Sequence, residues 1–292
     1  MKIAILYIAI GQYTVFFDSF FRSCQKFFMP DSEKMYFVFS DKEDESFTHE
    51  NVKVYKVEDM GWPDNTLKRF HMFTSIEEEL CEYSYCFFFN ANLEFKEKVV
   101  EKILPKQGIV VVQHPGYYNK HIKTFPYDHN PESLAYIPQG RGKVYVCGGV
   151  NGGCTKEYLD MCKVLKERVD LDYQNGVIAR WHDESHLNRF IFDLKGEKYV
   201  IWHPGFCYPD FYRMPFPDIC HLKDKNYYID VPIQKKEKLP LILKLYLNFF
   251  SKQNFKNLRI RYFKKRYFEL KQEGKDLGYF PDKAARCADK KR

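Results

Sequence analysis

The chain has no segment with the roughly 18 uninterrupted apolar residues that a membrane-spanning helix needs, so none is expected in its 292 residues. The apolar start, Met1 to Ile8, has no small-residue cleavage site and runs directly into Gly11-Gln12-Tyr13. It is expected to be a strand and not an export signal. The nine cysteines are odd in number and form no CxxC pair. Without an export signal they read as reduced thiols of a cytosolic protein. Neither a GxGxxG fingerprint nor a Walker A loop is present, and there is no internal repeat. Acidic residues are scarce at one end: residues 231–292 hold 18 Lys+Arg against 6 Asp+Glu, net +12, whereas residues 1–230 hold 28 against 33, net −5. An acidic body with a basic tail implies two jobs, and we place a domain boundary at Asp230.

What is abundant is aromatic: 22 Tyr and 27 Phe in a chain that is 45% hydrophobic. That is enough for one full-size core. The rings fit an aromatic core or stacking platforms for bases and sugars, and composition does not choose between them.

Apolar runs at 2–10, 35–39, 52–57, 85–89, 109–113, 144–147 and 199–202 predict strands. Helical spacing appears at 13–28, 67–80, 155–168 and 184–194. Pro30 should end the first helix by moving Met29 out of the α region. Strands alternating with helices imply an α/β sheet covered by helices.

Phe87-Phe88-Phe89 ends abruptly in Asn90-Ala91-Asn92. Residues two apart on a strand share a face, so the two amides are expected to project together at the strand's end, where open α/β sheets bind ligands. A polar exit into a turn explains them equally well. Neutral amides are poor ligands for a hard cation.

Three further clusters carry potential chemistry. Trp181-His182-Asp183-Glu184-Ser185-His186-Leu187-Asn188 precedes an apolar stripe and should open a helix. A helix start favours a diphosphate, and a carboxylate near an anomeric carbon acts as nucleophile or cation stabiliser. Simple capping by Asp183 or Ser185 would account for one residue of this cluster. Gly148-Gly149-Val150-Asn151-Gly152-Gly153 suits close approach of backbone to a ligand, or tight turns. His114-Pro115-Gly116-Tyr117-Tyr118 ends another strand, and His114 is a packed residue or a donor to a sugar hydroxyl.

Taken in order, these clusters together with Trp62-Pro63-Asp64, Lys68-Arg69 and Ala135-Tyr136-Ile137-Pro138 resemble glycosyltransferase family 6 over about residues 2–225. The resemblance implies a GT-A fold and transfer of GalNAc or Gal from a UDP-sugar to O3 of a fucosylated β-galactoside, with retention of configuration. By motif it assigns donor contacts to Ile8, Ala9, Ile10, Tyr13, Arg69, Asn90, Ala91, Asn92, Cys147, Gly148, Gly149 and Asp183. Acceptor contacts fall on His114, Trp181 and Glu184, and Glu184 is the catalytic carboxylate. Asn90-Ala91-Asn92 stands where the family has a metal-binding Asp-x-Asp, which implies action without a metal or other cofactor. Pro126 stands where the family has an acceptor-contacting Thr. Lys68, Arg69, Lys223 and Lys225 are candidates to offset the diphosphate charge, the last two also fitting a solvated surface. Loss of Asp-x-Asp leaves a second reading, a sugar-nucleotide or glycan-binding protein that does not catalyse. Residues 231–292 interleave basic and apolar residues, as in Arg259 to Phe268. A helical extension on an anionic inner-membrane surface is expected, with a cap on the catalytic domain as the alternative and no nucleic-acid partner.

Overall fold

The structure is a computed structural model, and it describes residues 1–194 and 198–230. The expectations for residues 231–292 lie outside the described residues. In chain order the elements are Lys2–Ile8 (β1), Phe17–Phe27 (α1), Glu33–Ser40 (β2), Val52–Lys56 (β3), Asp64–Leu67 (α2), Arg69–Thr74 (α3), Glu77–Leu80 (α4), Tyr85–Phe89 (β4), Leu93–Phe95 (β5) and Ile109–Gln113 (β6). Then follow Val146–Cys154 (β7), Thr155–Gln174 (α5), His182–Asp193 (α6), Tyr199–Trp202 (β8), Tyr208–Pro209 (β9) and Cys220–Leu222 (β10).

Seven strands form one mixed sheet in the order β3-β2-β1-β4-β7-β6-β8. Only β7 runs against its neighbours. The carboxyl ends of β1, β4 and β6 and the start of β7 therefore lie along one edge, where open α/β sheets bind ligands. A second sheet, β5-β10-β9, joins the chain just after β4 to the residues before Asp230. This is the GT-A type α/β architecture.

The aromatic residues mostly build the core. Phe87 and Phe89 share one face of β4, where Phe28 lies 5.2 Å from each ring. Phe88 faces the other way, 5.4 Å from Phe73 of α3. This alternation is the ordinary period of a strand. Burying large rings at about 25 cal/mol per Å² of apolar surface makes this packing a main source of stability.

Two stretches differ from expectation. The helix predicted over 67–80 is three short helices. Thr74 Oγ1 donates to Phe70 O at 2.8 Å and Ser75 Oγ to Met72 O at 2.7 Å, the kind of side-chain to backbone bond that competes with a continuous helix. The strand predicted over 144–147 runs from Val146 to Cys154, through the glycines assigned to a loop or turn. Its pairing with β6 jumps from Val112–Cys147 to Val111–Asn151. Gly148, Gly149 and Val150 thus bulge out of that ladder at the ligand-facing edge, a common place for a bulge beside a site.

Candidate active site

The first turn of α6 and the bulge of β7 meet at the carboxyl edge. Asp183 and Glu184 occupy that first turn, and Trp181, the residue before the helix, makes no side-chain cap. The capping reading of Asp183 therefore fails, because its carboxylate is engaged elsewhere. Asp183 Oδ2 lies 3.1 Å from Arg69 Nη1, and both side chains are buried. Arg69 opens α3, rests its guanidinium 4.5 Å over the Phe88 ring and donates to Gly148 O at 3.0 Å and Thr66 O at 3.1 Å. Burial raises the Asp183 carboxyl to about 6, against the pull of Arg69 and with a further push from Glu184.

Glu184 is held at both oxygens. Tyr145 donates its hydroxyl to Oε1 at 2.6 Å, and the Gly148 N–H donates to Oε2 at 2.8 Å. Charge-assisted bonds of this kind are stronger than neutral ones. Asn188, one turn further along α6, donates to Glu184 O and Val146 O, both at 2.8 Å, and accepts from Val146 N at 2.9 Å. It ties helix to strand and so fixes where Glu184 starts. Asn151 donates to Gly148 O at 3.1 Å and accepts from Tyr158 OH at 2.8 Å. One peptide, Gly148, is therefore bound by Arg69, Asn151 and Glu184 together.

The glycines are required by this closeness. A Cβ on Gly148 would lie 2.9 Å from Asp183 Oδ2 and 3.2 Å from Glu184 Cβ. One on Gly149 would lie 2.7 Å from Asn90 Nδ2. Cys147 is buried beside them, and a hydrogen bond with Cys207, then burial, raises its thiol so that it stays protonated.

Asn90 and Asn92 do not project together. β4 ends at Phe89, and Leu93 N donates to Asn90 O at 3.1 Å, closing a turn. Asn90 lies against Gly149, its backbone N–H donating to Gly149 O at 2.8 Å. Asn92 is buried and donates to Lys223 O at 2.6 Å, next to the pairing of β5 with β10. Ala91 O accepts from Tyr7 OH at 2.9 Å, which links this turn to β1. The turn preference of Asn prevails over strand continuation.

Ile8 closes β1, Ala9 and Ile10 are buried behind it, and Tyr13 follows. Lys225 Nζ lies 3.1 Å from Tyr13 OH. Lys223 Nζ is paired with Glu94 at 2.6 Å and donates to Ser19 Oγ at 2.8 Å. Both lysines are thus engaged with the fold, not loose on its surface. His114 accepts the Gly116 N–H on Nδ1 at 2.9 Å, and burial lowers its pKa to about 4. The ring is neutral with its proton on Nε2, which suits a donor to a hydroxyl. Trp181 is partly exposed, and the His182 ring lies 4.6 Å from the Trp62 ring, tilted at 48°. His186 turns away from the site. It is buried, neutral because burial lowers its pKa to about 3, and its 3.6 Å approach to Asp172 is therefore not an ion pair.

The structure therefore brings Arg69, Gly148, Gly149, Asp183, Glu184 and Asn90 to one edge, while Asn92 donates to the Lys223 carbonyl. Tyr145 was not singled out in the sequence, since nothing local separates it from the other tyrosines. Asn188 had a usable signal, its i+4 spacing from Glu184.

A buried Arg–Asp pair thus lies beside a clamped Glu at the carboxyl edge of a GT-A type sheet. The profile of Glycosyltransferase family 6 matches residues 1–225, and the chain belongs to that family. It is similar to the O-antigen biosynthesis glycosyltransferase WbnI of Escherichia coli, 34% identical over 66% of this chain and 82% of that protein. It is also similar to Globoside alpha-1,3-N-acetylgalactosaminyltransferase 1 of Gallus gallus, 28% identical over 78% of this chain and 68% of that protein. Histo-blood group ABO system transferase 1 of Rattus norvegicus is 29% identical over 67% of this chain, which spans 58% of that protein's length. The protein is thus a hexosyltransferase, with a nucleotide-sugar donor and a glycan acceptor.

Proposed function

We propose that the protein transfers GalNAc, or less efficiently Gal, from a UDP-sugar to O3 of a fucosylated β-galactoside, retaining configuration and using no metal ion. The observation that carries this reading is Glu184, fixed at both carboxylate oxygens beside the Arg69–Asp183 pair. A group so preorganised stabilises positive charge at a sugar's anomeric carbon without reorganising during the reaction. A binding protein has no need for such a carboxylate, so this favours catalysis over the binding-only reading. Support for the linkage and for GalNAc comes from the similarity to Globoside alpha-1,3-N-acetylgalactosaminyltransferase 1. Support for metal independence comes from amides at 90 and 92, the second already committed to the Lys223 carbonyl. In that reading the cations near the diphosphate are Arg69 and Lys225.

Incubation with UDP-GalNAc or UDP-Gal, a panel of fucosylated and plain β-galactosides, and EDTA tests this. Transfer with an α-linked product and no gain from manganese is expected. Absence of both transfer and donor hydrolysis across the panel sinks the catalytic reading, and activity that appears only with Mn2+ sinks metal independence.

We also propose that the basic residues 231–292 hold the enzyme at an anionic inner-membrane surface, on composition alone. Among the described residues no helix is long and apolar enough to cross a membrane. Salt-sensitive sedimentation with anionic vesicles is expected. Equal sedimentation of a chain truncated after Asp230 would end that proposal.

A further inference from the structure

We propose that Tyr145 is the positioning residue for Glu184, its hydroxyl holding the carboxylate in its working orientation and charge state. The inference deepens the function proposed above and rests on its placing of Glu184 at the reacting centre.

The geometry is that of a fixed donor. Tyr145 is 1% exposed. Its ring is boxed by His114 at 5.4 Å, Tyr117 at 5.1 Å, Tyr127 at 5.4 Å and Phe125 at 6.2 Å. Its carbonyl accepts the His114 N–H at 2.9 Å. The ring therefore has no room to swing, and its hydroxyl meets Glu184 Oε1 at 2.6 Å. Burial, then the charge of Glu184, raises the phenol above its ordinary range, so it remains a donor wherever the enzyme works. The other oxygen accepts the Gly148 N–H, a backbone donor. Tyr145 is thus a side chain through which this chain sets the state of Glu184.

Other titratable groups also face this corner. On α6, Asp183 is offset by Arg69 of α3 at 3.1 Å. On β7, Cys147 is a neutral thiol. After β6, His114 is neutral and Tyr117 is pushed up by burial, then by Glu184, with Arg180 opposing. A hydrogen bond to the ionised form lowers a carboxyl pKa. Its loss therefore raises that of Glu184, and the low-pH limb of activity moves to higher pH.

The test compares Tyr145→Phe with Tyr127→Phe in the full chain. Tyr127 shares the aromatic box but donates to Val144 O at 2.5 Å, away from Glu184. Tyr145→Phe should lower kcat at least about tenfold at unchanged donor KM and move the acid limb of kcat/KM up by about one pH unit. Infrared titration of the carboxylate band lost in Glu184→Gln should show the same upward move, with or without turnover. Tyr127→Phe should leave limb and band in place. Wild-type values for both in Tyr145→Phe, or equal shifts in the two variants, overturn the inference. A wild-type protein that transfers nothing defeats the function proposed above, and the infrared comparison still decides the role of Tyr145.

Discussion

The two sides of this site are held in different ways. At the Glu184 side, the donors are Gly148 and Tyr145, 36 and 39 residues earlier in the chain, one in β7 and one just before it. At the Asn90–Asn92 side, the partner of Asn92 is a backbone carbonyl 131 residues later. The charged corner thus hangs on residues 145–151 and on Arg69, 79 residues before Gly148, whereas the turn at the end of β4 is tied to the Lys223 carbonyl beside the small β5-β10-β9 sheet. The two can change independently. A chain can therefore carry amides at 90 and 92 and keep the carboxylate corner intact, which is the pattern seen here.

If that separation holds, damage to the first side should appear in turnover and damage to the second in stability. Glu184→Gln should give the largest effect, a fall in kcat of at least about 100-fold with UDP binding retained, the scale of losing a preorganised electrostatic group. Isothermal titration with UDP alongside transfer assays checks it. Near-normal turnover would remove Glu184 from the catalytic role.

On the second side, His221 of β10 lies between Asp210 at 2.9 Å and Asp218 at 2.7 Å. Hydrogen bonds donated to Asp210, then to Asp218, raise its pKa from 6.5 to about 9. A folded pKa above the unfolded one means the stabilisation is complete below about pH 6.5 and is lost as pH rises through about 9. On linkage grounds it is worth roughly 2–3 kcal/mol at pH 6. Urea unfolding of wild type and His221→Asn from pH 6 to pH 10 should show the gap closing. A gap that does not depend on pH would mean His221 acts by packing alone.

Asn92 sharpens the contrast. The Asn92 amide can donate to the Lys223 carbonyl where an ionised carboxylate cannot, and that carbonyl fixes which way the amide points. Asn92→Asp sets a carboxylate against it and should cost about 2 kcal/mol of stability, with no manganese dependence gained. Unchanged stability would show that the bond is dispensable.

How much of this was legible in the sequence follows the same division. β4, β6 and β8 could be bounded because their apolar runs end in polar residues. β7 could not, because glycines carry no side chain and so no pattern, although the bulge they form creates the site. The clamped carboxylate was visible as a dense polar cluster before an apolar stripe. Tyr145 and the Asn92–Lys223 bond were not, since both are decided by packing between segments far apart in sequence. The aromatic total left core or platform open, and burial of Phe28, Phe87, Phe88 and Phe89 decides for core.

Gly149 is where the two sides touch, and it gives the smallest predicted effect. The family resemblance implies that its missing side chain lies beside the donor's C2, leaving room for an acetamido group. In the structure, the space a Cβ would fill is already taken by Asn90 Nδ2, 2.7 Å away. Gly149→Ala must therefore act through Asn90, the movable end of a side chain, by pushing the amide toward the sugar. A methylene-scale loss of pocket volume is worth about 1–3 kcal/mol, and a flexible amide absorbs part of it. We expect the ratio of kcat/KM for UDP-GalNAc over UDP-Gal to fall about tenfold in Gly149→Ala, and Asn90→Ala in the same background to restore most of it. A ratio unmoved by the alanine would show that position 149 does not bear on the donor sugar. A ratio that falls but is not restored by Asn90→Ala would place the clash on the sugar directly.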